Sequence, residues 1–183
     1  MKPYVIAAAV LLAATSVAFA SDGNTPQFPK AYKDLAKQTK PPSNHWLLDA
    51  NDDTERFRRL EVAMSGTDIP MWEIAYRYEE IYTAIQKNNW EMGLYHWDKV
   101  KARMNTSGMK RPARTKNIED MFMEGGTWQA MQDALKSKSP EKIRKEFLEV
   151  RNACMACHVA ENLGFLNDSS VFPRTASFPP LVK

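Results

Sequence analysis

The 183-residue chain carries 25 Lys and Arg against 22 Asp and Glu, a net charge of +3, with 26% charged and 44% hydrophobic residues. That balance excludes a disordered polyelectrolyte and a basic nucleic-acid-binding surface, so no nucleic acid is expected among its partners. The length suits a single domain with its own core.

In chain order, Met1 and Lys2 precede an apolar run from Tyr4 to Phe19, closed by Ala18, Phe19 and Ala20 ahead of Ser21. This pattern predicts a secretory signal peptide over residues 1–20 and a periplasmic protein of about 163 residues after cleavage. The alternative is a retained signal acting as a membrane anchor, since the uncharged stretch from Pro3 to Ser21 approaches spanning length. Residues 21–68 read as an extended N-terminal arm, rich in Pro, Lys, Gln and Thr as far as Ser43. Within it, Phe57, Leu60 and Met64 give a short apolar stripe that predicts a small helix from Arg56 to Met64, closed by Gly66.

Four longer helices are expected over residues 69–165. From Pro70, a natural first helical residue, Met71, Ile74, Tyr78, Ile81 and Ile85 recur on one face, with Glu73, Arg77, Glu80 and Lys87 opposite. This helix should end near Asn88 and Asn89. A second stripe of Trp90, Leu94, Trp97, Val100 and Met104 is expected to stop at Ser107 and Gly108. The basic cluster Lys110, Arg111, Arg114 that follows is either a solvated loop or a docking patch for an acidic partner. A third helix should run from Thr115 to Lys136 with Ile118, Phe122, Trp128, Met131 and Leu135 inward, weakened or kinked at Gly125 and Gly126. The fourth has the clearest start: Ser139 as N-cap, Pro140 first in the helix, Glu141 in the first turn. Its inward stripe is Ile143, Phe147, Val150 and Cys154. Pro173, Pro179 and Pro180 argue against a further helix, so residues 166–183 read as an irregular tail.

The chemistry concentrates at Cys154, Met155, Ala156, Cys157 and His158. These are the chain's only two cysteines, and an exported protein would normally spend cysteines on disulfides rather than on a pair three residues apart. A thioredoxin-like pair would expect a neighbouring βαβ pattern, and a zinc site two further ligands, whereas His45 and His96 lie far away. Covalent haem attachment fits best. On a helix, residues three apart share a face, so two sulfurs can bond the two vinyl groups of one haem, and the next residue, His158, is carried beneath the iron as its proximal ligand. Since the stripe of the fourth helix leads into these residues, the porphyrin would lie inside the bundle.

With CxxCH on the last of four helices, the chain resembles the cytochrome c-prime and cytochrome c-556 class of bacterial cytochromes over about Ile69 to Glu161. The run from Met71 to Tyr78, the Asn89–Trp90 pair, Lys110 to Pro112 and the motif itself are together similar to a set of small exported bacterial cytochromes. That resemblance implies an all-α four-helix bundle with an N-terminal extension, one covalently attached haem c on the last helix, and pairing into a homodimer through the first two helices.

The sixth iron ligand would decide the function. Low-spin members of the class are expected to draw a Met from the first helix, which makes Met71 the leading candidate and an electron carrier the leading reading. A Met at helical spacing is also ordinary core material, and Met64, Met104, Met121, Met123, Met131, His96 and His45 are the other candidates. With no sixth ligand, Tyr78 or Ile81 would face an open iron site, and the protein would bind small gases such as nitric oxide. The class resemblance also implies Arg77 as a haem-propionate partner, against an ordinary ion pair with Glu73 or Glu80. No Ser/His/Asp arrangement, carboxylate pair or phosphate loop is evident, so the expectation is a non-enzymatic carrier serving redox partner proteins in the periplasm.

Overall fold

The computed structural model describes residues 45–124 and 126–180. The expected signal peptide, the arm up to Ser43 and Gly125 lie outside the described residues. Every regular element among the described residues is helical and none is a strand, so the fold is all-α. No helix there is long and apolar enough to cross a membrane. The chain divides into two compact units, Met1–Ala63 and Met64–Lys183.

The described part of the first unit contains α1, Asp53–Ala63. The expected apolar stripe does not organise it: Phe57 is 69% exposed, and Met64 falls beyond the helix end. Polar contacts do so instead. Glu55 accepts from the Asn51 amide at 2.7 Å and pairs with Arg59 at 2.5 Å. Arg59 also donates to the Trp46 carbonyl, and Arg56 to that of Leu47 at 3.2 Å. An apolar triplet at helical spacing thus marked the helix but not its anchored side.

In the second unit, α2 spans Asp68–Gln86 and α3 Trp90–Lys110. Asn88 takes the left-handed conformation (φ 52°) just past α2, and the Asn89 side chain accepts from the Met92 amide to cap α3. Two asparagines therefore make the turn, one by tolerating positive φ and one by capping. Helix α3 continues past Ser107 and Gly108, which were expected to stop it, because both are buried in a tight contact. A Cβ on Gly108 would lie 3.3 Å from Thr115 Oγ1, and that hydroxyl donates to the Gly108 carbonyl. The glycine allows the next segment to approach, and Pro112 ends the helix instead.

The third expected helix is broken into pieces. A 3-10 turn at Pro112–Arg114 leads into the one-turn α4, Thr115–Ile118, and then a π turn at Glu119–Met123. The bond from the Glu124 amide to the Glu119 carbonyl, 2.7 Å, closes the π turn. Gly126, at φ +80°, then starts α5, Thr127–Ser137, in a conformation that L residues rarely adopt. Helix α6, Pro140–Ala160, begins as the sequence indicates, with the Ser139 hydroxyl facing the Lys142 amide.

One core unites these elements. It contains Ile74, Tyr78, Ile81 and Ile85 of α2, Trp97, Val100 and Met104 of α3, and Ile118 and Phe122. Met131 and Leu135 of α5 join Ile143, Phe147 and Val150 of α6 there. Each such side chain contributes roughly 1.5–3 kcal/mol through burial, which is why the 3.6-residue stripes predict the packing well. The tail is less irregular than expected. After a 3-10 turn at Gly164–Asp168 comes the one-turn α7, Val171–Arg174, which adds Val171 and Phe172 to the core. Pro173 is accommodated because a proline in a helix's first turn removes an amide that has no intrahelical partner anyway.

Candidate functional site

The C-terminal half of α6 carries Cys154, Cys157 and His158, each partly buried and each turned toward a different neighbour. Cys154 packs against the core and interacts with Tyr78 of α2. The Tyr78 ring stacks on Phe147 at 4.2 Å, and its hydroxyl donates to the Phe147 carbonyl at 2.8 Å. Tyr82, one turn further along α2, also contacts Phe147. Moving back along α2 from Tyr82 to Tyr78 thus means moving forward along α6 from Phe147 to Cys154, so the two helices run antiparallel. Met71, two turns before Tyr78, accordingly lies toward the motif end of α6 and packs on the edge of the core.

Cys157 faces the segment after α3. Burial and Glu161 push its thiol up, while Arg114 opposes them. Glu161 is held by Arg114 at 3.2 Å and by the Asn117 amide at 2.6 Å. Arg114 also donates to the Thr67 hydroxyl at 3.1 Å. The basic cluster read as loop or docking patch therefore places one of its cations beside the motif.

His158 faces the tail. Asn162, at φ 58°, reverses the chain just after α6, and the Leu163 amide bonds back to the His158 carbonyl at 2.7 Å. The returning chain brings Asn167 Oδ1 to 3.0 Å from His158 Nδ1 and sets the Phe172 ring edge-on to the imidazole at 5.8 Å.

Both thiols are free, and burial, the largest cause, pushes Cys154 up to about 12. A thiol poised for redox exchange would instead be shifted toward thiolate at neutral pH. Among the described residues no group of three or more His, Cys, Asp and Glu side chains is placed to hold a bare metal ion. The donor set suits a group that binds two neutral sulfurs on one helix face and takes a single imidazole nitrogen.

Arg77 is spent elsewhere. It pairs with Glu73 at 2.6 Å, and its Nη1 lies 3.4 Å from His96 Nδ1 on the seam of α2 and α3. Glu73 also accepts from Arg103 at 2.8 Å. His96 is buried, and burial together with Arg77 lowers its pKa. Of the other candidate ligands, Met104 and Met131 are buried within the core and Met64 is exposed. Met121 and Met123 lie in or at the π turn, and His45 belongs to the first unit. Tyr78 and Ile81 are both buried in the core.

Asn167, Phe172 and Arg114 were not singled out as site residues from sequence. Their proximity depends on the left-handed turn at Asn162 and on the broken third helix, and the only local sign of the first was the Asn162, Gly164 pair after an otherwise continuous helix.

No protein-family model, no curated protein and no solved structure matches this chain.

Proposed function

We propose that this chain is an exported monohaem c-type cytochrome that carries electrons between partner proteins of the periplasm. The observation that carries the reading is the geometry of the motif. Two cysteines stand one helical turn apart, Cys154 against the core and Cys157 beside Arg114, followed by an imidazole whose Nδ1 is already engaged. In this reading α2, α3, the Thr115–Ser137 stretch and α6 form a four-helix bundle, with haem c held on α6 by Cys154 and Cys157. When bound, the haem supplies one-electron iron chemistry.

The chain's own residues bind, orient and exclude water. His158 would present Nε2, Tyr78 and Phe147 would provide an apolar wall, and Met71, on the helix antiparallel to α6, is the residue we assign as the second iron ligand. Arg114, beside Cys157 and Glu161, joins Arg77 as a cation we assign to the haem edge, since of the two it is the one next to the motif. The homodimer implied by the class resemblance would use α2 and α3, whose outer faces expose Trp72, Tyr76 and Tyr95.

The test is a pyridine haemochrome assay with intact mass on protein exported in a host that attaches c-type haem, followed by electron paramagnetic resonance of the ferric form. One covalent haem and a low-spin ferric signal are expected. An apo-polypeptide mass would refute the cytochrome reading. A high-spin signal at neutral pH would refute Met71 ligation and leave the five-coordinate, gas-binding form.

A further inference from the structure

The hydrogen bonds around Asn167 determine which nitrogen of His158 carries the proton. Asn167 Nδ2 lies 3.2 Å from the Met155 carbonyl, and a carbonyl oxygen can only accept. The amide must therefore turn its NH2 group to Met155, which leaves Oδ1, an acceptor, at 3.0 Å from His158 Nδ1. His158 Nδ1 must then donate, and the neutral imidazole keeps the lone pair on Nε2. A second contact fixes the plane of the ring. Phe172 meets it at an interplanar angle of 84°, and Phe172 is itself held by Arg151, whose Nε donates to its carbonyl at 3.1 Å and whose guanidinium lies over its ring. Arg151 lies on α6 two turns before His158, so the helix that carries the imidazole also fixes the residue that flanks it.

The geometry points to Asn167 as the positioning residue of the proximal imidazole: it selects the tautomer with Nε2 free and, by accepting from Nδ1, makes Nε2 a stronger donor to iron. This rests on the haem reading above. A ligand whose far N–H is bonded to an acceptor is more basic, and a more basic ligand favours ferric over ferrous iron. The strength of the acceptor at position 167 therefore adjusts the reduction potential.

The experiment compares Asn167→Asp and Asn167→Leu with the unmodified protein, all exported with haem and each checked for covalent haem by mass before redox titration. The Asp variant, with a charged acceptor, should shift the potential lower, and the Leu variant, with none, should shift it higher. Opposite shifts support the assignment, because a purely structural role through the Met155 carbonyl would lose its donor in both variants and move both the same way. Equal potentials, or shifts of the same sign, with haem attached overturn the role of Asn167 and leave the cytochrome reading intact. Absence of covalent haem on the unmodified protein overturns both. Should the Leu variant fail to fold, the near-isosteric Asp variant still decides: an unchanged or higher potential sinks the proposal.

Discussion

His96 and His158 both have Nδ1 engaged, yet their partners impose opposite roles on that nitrogen. Nδ1 of His96 faces the Arg77 guanidinium, which can only donate, so that nitrogen must accept and the proton sits on Nε2. At His158 the partner is an amide oxygen, so Nδ1 donates and Nε2 is left with its lone pair. The first histidine is buried between helices in a cationic seam closed by Glu73, with Tyr76 and Tyr95 edge-on to its ring. The second is partly exposed at the end of a helix. The comparison shows that a histidine's role is read from the chemistry of its neighbour, not from burial or proximity to a cation alone.

The largest separation of the two should come from replacing each with alanine. In the proposed cytochrome, His158→Ala should change the ferric spectrum, while altering the unfolding free energy of the haem-free polypeptide by less than about 1 kcal/mol. His96→Ala should do the reverse: the haem spectrum stays, and the midpoint of urea unfolding falls by the equivalent of about 1–3 kcal/mol, because a buried polar partner of Arg77 is removed. If His96→Ala changed the spectrum and His158→Ala did not, the two roles would have to be exchanged.

A smaller effect is expected from Glu73→Ala. The carboxylate joins Arg77 and Arg103, and its loss leaves two cations beside His96. Both pairs are partly solvated, so the cost to stability should be about 1 kcal/mol, diminishing in high salt. The spectrum should not move, and a shift in reduction potential would show that the seam reaches the haem after all.

The smallest effect is the pH dependence of the seam. Burial, then Arg77, lowers the pKa of His96 against the weaker pull of Glu80. Around the ring stand Arg77 and Glu80 of α2, with Arg103 of α3 linked through Glu73. Below the unfolded-state value, near 6.5, the unfolded chain binds a proton that the folded chain resists, so stability is present above that pH and is lost as pH falls. Unfolding curves of unmodified protein and His96→Ala should therefore converge as pH drops from about 7 toward about 5. Parallel curves would show that His96 is not the titrating group.

Much of the core was legible because burial imposes a period on the sequence. Ile74, Tyr78, Ile81 and Ile85 mark α2, and Ser139, Pro140 and Glu141 mark the start of α6, since both signals are local. Gly108 misled because glycine's low helix propensity was outweighed by its contact with Thr115. Pro173 misled because its position within a turn, not its presence, decides whether a helix tolerates it. At the candidate site, Cys154, Cys157 and His158 were legible through adjacency. Asn167 and Arg114 were not, because nothing local encodes a contact made by chain reversal or across a broken helix.

The tail that follows α6 ties the imidazole to the core. Asn167 and Phe172 lie C-terminal to the imidazole they contact, so the last turn of α6 is restrained by chain that follows it. A polypeptide ending before Asn167 would lose both the constraint on its histidine and the core contacts of Val171, Phe172 and Phe178, so the segment that orients the imidazole also closes the core.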